Sequence, residues 1–138
     1  MAKLLRVDGM VKFFNLNKEH TKNILVEIPE NSEEQSTGLM NREEINENQG
    51  MLFIYDEPQH LSMWMKNVKF SIDIIFVNNR KIIENVIKNA EPLSSTLYNS
   101  KGPCKYAVEV IAGFTDTYRV EKGQQIEIKR NLGSLEGE

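Results

Sequence analysis

Six polar residues sit in or beside the apolar blocks of this 138-residue chain: Arg42, Trp64, Lys66, Asn67, Asp73 and Glu109. Two cations, an amide and the chain's single tryptophan could hold a small polar or anionic ligand, such as a sugar or a carboxylate, with the indole ring supplying stacking area. Asp73 and Glu109 allow a second chemistry. Two carboxyls on strands, one with a raised pKa, could work as the acid/base pair of a hydrolase if they faced one cleft at glycosidase spacing. A third reading is purely structural: Arg42 and Lys66 neutralise Asp73 and Glu109 inside the fold, and Trp64 is core. The site would then be silent, and the domain would meet a protein partner through a sheet edge or through Met51, Met63 and Met65.

These residues depend on one stretch, 50–77, which reads GMLFIYDEPQHLSMWMKNVKFSIDIIFV and is the densest apolar segment of the chain. Met51–Tyr55 is a short run of aromatic and branched residues, suited to a strand buried on both faces. Asp56-Glu57-Pro58-Gln59 predicts a break, because proline cannot donate to a ladder. Leu61–Met65 and Ser71–Val77 are the next two strands. Alternation places Asp73 on the face of Ile75 and Val77. If that face is inward, the carboxylate needs a cation or several donors, with Lys66 and Arg42 the expected cations; if outward, it is solvated. Glu109 repeats the problem in the strand Tyr106–Ala112, where it shares a face with Ala107 and Ile111.

The rest of the chain supplies the frame. Asp8-Gly9 is a hairpin signal between the apolar runs at 4–5 and 11–14. Asn23–Ile28 reads as a strand stopped by Pro29. Ser32-Glu33-Glu34-Gln35 fits a capping box and predicts a helix from Ser32 to about Met40. Gly38 inside it implies a helix end or close approach to a sheet. Lys81–Lys88 alternates as the hairpin partner of the Ile72–Val77 strand. Residues 92–102 form a long polar loop. Phe114 and Tyr118, one helical turn apart, predict a short helix, and Gln124–Lys129 a last strand. The sum is an α+β, β-rich fold: one domain over residues 1–132, a mainly antiparallel curled or barrel-like sheet, and one or two short helices. Residues 133–138 read as a disordered tail.

Composition excludes several functions. A net charge of −3, with no local run of Lys and Arg, lacks the basic footprint of nucleic-acid binding. One cysteine, Cys104, gives neither a disulfide nor a metal spacing, and His20 and His60 belong to no motif. No cofactor and no metal are expected. No apolar stretch approaches the ~20 residues of a membrane span, and 1–14 lacks the apolar core of a signal peptide, so the chain as given reads as cytoplasmic, with export open if a signal was trimmed.

Five blocks carry a resemblance: Gly38-Leu39-Met40-Asn41-Arg42, Gly50-Met51-Leu52-Phe53, Met63-Trp64-Met65-Lys66-Asn67, Asp73-Ile74-Ile75-Phe76, and Glu109-Val110 with Ala112-Gly113. In order and spacing the chain resembles the domain of unknown function 192 family over residues 23–129. The resemblance implies a compact single domain of bacterial or archaeal origin, often exported, and no particular activity. It departs from the family at Val68–Ile72, which lacks the usual proline, and in having no export signal.

Overall fold

Strands dominate this chain because its apolar runs are short, branched and aromatic, and glycine, proline or asparagine cuts each one off. The computed structural model describes residues 5–131. In chain order they form β1 (Gly9–Phe14), β2 (His20–Glu27), α1 (Ser32–Thr37), β3 (Gln49–Gln59), β4 (Ser62–Met63), β5 (Ile72–Val77), β6 (Ile83–Ala90), β7 (Tyr98–Asn99), β8 (Cys104–Ile111), α2 (Phe114–Thr117) and β9 (Ile126–Arg130). Seven strands make one sheet in the order β6-β5-β8-β3-β2-β1-β9, and β4 pairs with β7 beside it.

All pairs are antiparallel except β2 with β3, which run parallel because α1 and its flanking loops carry the chain across between them. The sheet curls until its two edges touch at one end. There Ile82 bridges Gln125, and Ile83 N–H donates to Gln124 O at 2.9 Å. The contact is local, so the sheet is barrel-like without being a closed barrel.

Curling gives the sheet two cores. The inner one gathers Val11, Phe13, Ile24, Val26, Leu52, Ile75, Val77, Val108 and Val110, sealed by Phe114 of α2. The ring of Phe114 lies 5.4 Å from Phe13 and 4.8 Å from Tyr118, so the short helix expected from the spacing of two aromatic rings is present. The outer core lies on the opposite face, where Met51, Phe53, Ile72, Ile74 and Ala107 are covered by Leu39, Leu61, Met63, Met65 and Val68. The covering residues come from the turn after α1 and from the β4–β5 segment.

Several local expectations are corrected. Asp56–Gln59 continues β3 rather than breaking it. Proline is tolerated because the β3–β8 register slips between Ile54 and Gln59, so Pro58 owes no ladder hydrogen bond there. Asp8-Gly9 is not a hairpin turn: Gly9 lies in β1, opposite Val26 and Arg130. A Cβ there would stand 2.5 Å from Lys129 O, so the glycine serves close strand approach. The N-cap of α1 is Asn31, whose side chain accepts from Glu34 N–H, and not Ser32. The helix stops at Thr37, ahead of the expected Met40, because Gly38 adopts φ 49° as its C-cap. The polar 92–102 stretch contains β7, which pins Ser62 and Met63. The expected tail, 133–138, and Leu4 of the expected hairpin lie outside the described residues.

Candidate functional site

Trp64, Lys66 and Glu109 line one cavity of about 280 Å³. One wall is α1 and the turn after it, with Gln35, Thr37 and Met40. The other is the β4 segment with Ser62 and Met63, and β3 contributes Phe53 and Tyr55. Trp64 directly follows β4 and lies between two buried methionines. Met63 and Met65 point into the outer core at 8% and 0% exposure, which leaves Trp64 between them 44% exposed. Its ring is therefore available for stacking. The Lys66 ammonium lies 5.3 Å from the ring centroid, a cation–π distance, and makes no ion pair among the described residues.

Glu109 forms the floor. β8 is paired on both sides, with Met51 of β3 and Ile74 of β5 opposite it, and both belong to the outer core. The carboxyl is 5% exposed. Burial alone pushes its pKa from 4.5 to about 8, with no hydrogen bond or cation drawing it back. At neutral pH it is mostly a protonated acid that can donate a hydrogen bond. Tyr55 beside it has its hydroxyl pKa raised, first by burial and then by the Glu109 charge. A raised folded-state pKa for an acid makes folding less favourable as pH rises from its ordinary value to its shifted one. Chemical denaturation should therefore show stability falling between pH 4.5 and about 8, by up to about 1.4 kcal/mol per unit. Glu109→Gln should flatten that slope.

Arg42 does not neutralise Asp73. It is 1% exposed and pairs with Glu27 in a two-point bridge, Nη1 to Oε1 at 3.0 Å and Nη2 to Oε2 at 3.1 Å. Glu27 also accepts from Arg6 N–H at 2.9 Å. Burial pushes the Glu27 pKa up, but the Arg42 hydrogen bonds, the Arg6 N–H and both guanidinium charges outweigh it, and the net shift is downward. The bridge ties the turn after α1 to the end of β2. Thr37 and Gly38, on that turn, separate the Arg42–Glu27 recess from the tryptophan cavity and line both. Arg42 is thus a positioning residue for one wall. Gly38 is required there by its positive φ of 49°; the Phe53 ring, 3.4 Å from where a Cβ would stand, would only be in ordinary contact with it.

Asp73 is elsewhere. It faces the inner core with Ile75 and Val77, since its register partner is Val110, whereas Glu109 is opposite Ile74. The two carboxyls therefore project from opposite faces of the sheet, which removes the expected acid/base pair. Asp73 is 1% exposed, and its cation is replaced by donors: Asn89 N–H at 2.9 Å, Thr115 N–H at 3.0 Å and Thr115 Oγ1–H at 2.7 Å. It anchors α2 and the end of β6. Asn67 is an exposed turn residue at φ 59°, and its carbonyl accepts from Asn41 N–H. Met51, Met63 and Met65 are buried, so they offer no exposed partner surface. Cys104 is buried with its thiol pushed up to about 11, first by desolvation and then by the Glu84 charge, the opposite of an activated nucleophile.

Glu27 escaped the sequence reading. Val26-Glu27-Ile28 looks like ordinary alternation at a strand end, and only the arrival of Arg42 from another element gives it a role. The signal available was an acid flanked by residues that both had to be buried.

No helix among the described residues is long and apolar enough to cross a membrane, and they contain no cluster of side chains suited to a metal ion. None of the curated proteins matches the chain. Two crystal structures resemble it over most of their length. One, from Sinorhizobium meliloti 1021 and described provisionally as a transcription regulator, has a TM-score of 0.84 and 26% identity, covering 91% of this chain and 96% of its own. The other, a protein of unknown function from Novosphingobium aromaticivorans DSM 12444, has a TM-score of 0.81 and 28% identity, covering 86% and 83%. The family model for DUF192, described as an uncharacterized ACR, matches residues 14–128. With the curled sheet and all five sequence blocks in place, the chain belongs to the DUF192 family.

Proposed function

We propose that this domain is a non-enzymatic binding module for a small polar ligand, held in the cavity between Trp64 and Glu109. The observation that carries the reading is an exposed indole and an ammonium at the rim of a cavity whose floor is a buried carboxyl, neither charge paired among the described residues. Its size is near the lower end of small-molecule pockets. Hydroxyl and amide groups from Gln35, Ser36, Thr37 and Ser62 line it beside Leu39 and Phe53, a mixture suited to a hydroxylated ring with one apolar face. Binding is favoured over turnover because Glu109 is the one carboxyl on this cavity, and Asp73 lies across the sheet. The net charge of −3 argues against phosphate-backbone binding.

Trp64 is the chain's only tryptophan, so its fluorescence reports the cavity directly. Trp64→Ala and Lys66→Ala should unfold within about 0.5 kcal/mol of the parent, because both side chains are exposed. A panel of sugars and small organic acids should raise the parent's melting temperature and leave that of Trp64→Ala unchanged. Ligand-induced stabilisation that survives in Trp64→Ala would end this reading.

A further inference from the structure

Glu109 is the unusual group. A solvent-excluded carboxyl normally carries donors, as Asp73 does, or a cation, as Glu27 does. Glu109 has neither among the described residues, although it is nearly as buried as those two. Its neighbours on the sheet, Met51 and Ile74, are apolar and cannot supply them. The only direction in which its hydrogen-bonding capacity can be met is the cavity.

The charges around that cavity favour one sign of ligand. Lys66 is at its rim without a carboxylate partner, and the other titratable group facing Glu109 is Tyr55 on β3. α1 and its turn present Gln35, Ser36 and Thr37 to the cavity, and the β4 segment adds Ser62 and Lys66, while Ile74 of β5 is only the apolar sheet neighbour of Glu109. With Glu109 protonated, the lining carries one net positive charge. A cationic ligand would meet Lys66 and a neutral floor, whereas an anion would meet Lys66 and a donor.

We infer that the ligand is a hydroxylated carboxylate of sugar-acid type, whose anionic group takes a hydrogen bond from the Glu109 carboxyl and the charge of Lys66 while its ring or chain lies against Trp64. This rests on the binding reading above and names the chemistry of the same site. A carboxylic acid donating to a carboxylate is a charge-assisted hydrogen bond, stronger than a neutral pair, and it exists only while Glu109 keeps its proton. Proton loss would also set two negative charges against each other at the buried floor of the cavity. Binding is therefore coupled to one proton. Affinity holds steady below about pH 8 and falls about tenfold per unit above it.

The test is titration of the full chain with glucuronate, galacturonate and gluconate beside glucose, galactose and sorbitol, followed by Trp64 fluorescence and calorimetry from pH 6 to 9.5. The acids should bind at least tenfold more tightly than their neutral counterparts, and their affinity should fall above pH 8. Glu109→Gln keeps a donor but cannot ionise, so whatever affinity it shows should no longer fall above pH 8. Neutral sugars that bind as well as the acids would overturn this inference and leave the binding reading standing. So would an unchanged pH profile in a folded Glu109→Gln. No response of Trp64 to any of the six compounds would overturn both.

Discussion

Arg42→Leu should cost about 3–5 kcal/mol of folding stability, measured by urea denaturation at pH 7. The Arg42–Glu27 bridge is buried at the wall of its recess, and its two parallel hydrogen bonds engage both carboxylate oxygens. Removing the guanidinium leaves Glu27 buried with Arg6 alone, whose Nη1 is 3.9 Å away and whose side chain is 40% exposed. The pH dependence should weaken as well. In the parent the Glu27 pKa is lowered, so its contribution is fully present above the ordinary carboxylate range and is lost as acid titrates through the depressed value. In Arg42→Leu only the Arg6 N–H and the Arg6 charge still oppose desolvation, so the Glu27 pKa should be depressed less and the stability lost on acidification should shrink. The double variant Glu27→Leu/Arg42→Leu should recover much of the loss, because a buried pair replaced as a unit leaves no uncompensated charge. A single-variant cost below about 1 kcal/mol would show that the bridge is not holding the turn after α1 to β2. Because that turn forms a wall of the tryptophan cavity, any Arg42→Leu that remains folded should bind the cavity's ligands more weakly.

Asp73→Ala should cost a similar amount, about 3–5 kcal/mol, by a different route. Two backbone N–H groups and one hydroxyl lose their acceptor together, each worth roughly 1–3 kcal/mol when left unmet in the interior. Asp73→Asn should be milder, since an amide oxygen can still accept, but its NH2 would face a donor. Amide hydrogen exchange is the informative measurement. Protection should fall first at Thr115 and Asn89, where α2 and the end of β6 are fastened, and only later in β8. Loss of protection spread evenly over the sheet would contradict this anchoring role. Ligand binding at the Trp64 cavity should persist in the folded fraction, because Asp73 lies on the other face of the sheet. Its loss would revive a link between Asp73 and Glu109 that the register argues against.

Asp73, Glu109 and Arg42 also show how far reading residue by residue can go. The placement of Asp73 with Ile75 and Val77 follows from strand alternation within six consecutive residues and needs no partner strand. The β-rich class, the short aromatic helix α2 and the family blocks were all legible for this reason: each depends on side chains close together in the chain. Expectations failed where a second element intervened. Pro58 was absorbed by a register slip against β8, and Gly9 was used for strand proximity rather than for a turn, whereas the cap of α1 moved by one residue, from Ser32 to Asn31, within its own turn.

Composition and local pattern alone settled that this chain is strand-dominated and acidic, that a belt of polar residues interrupts its apolar blocks, and that it resembles DUF192. They could not say which of those residues meet. That was decided by strand order and register, which set Glu109 beside Ile74 and Asp73 beside Val110 and so sent two similar carboxyls to opposite faces. Folding likewise brought Arg42 to Glu27, fifteen residues earlier in the chain, and left Glu109 facing a cavity with no partner among the described residues. The physical reason is that backbone propensity acts over a few residues, whereas the pairing of a buried charge depends on whichever groups the tertiary structure places within hydrogen-bond reach.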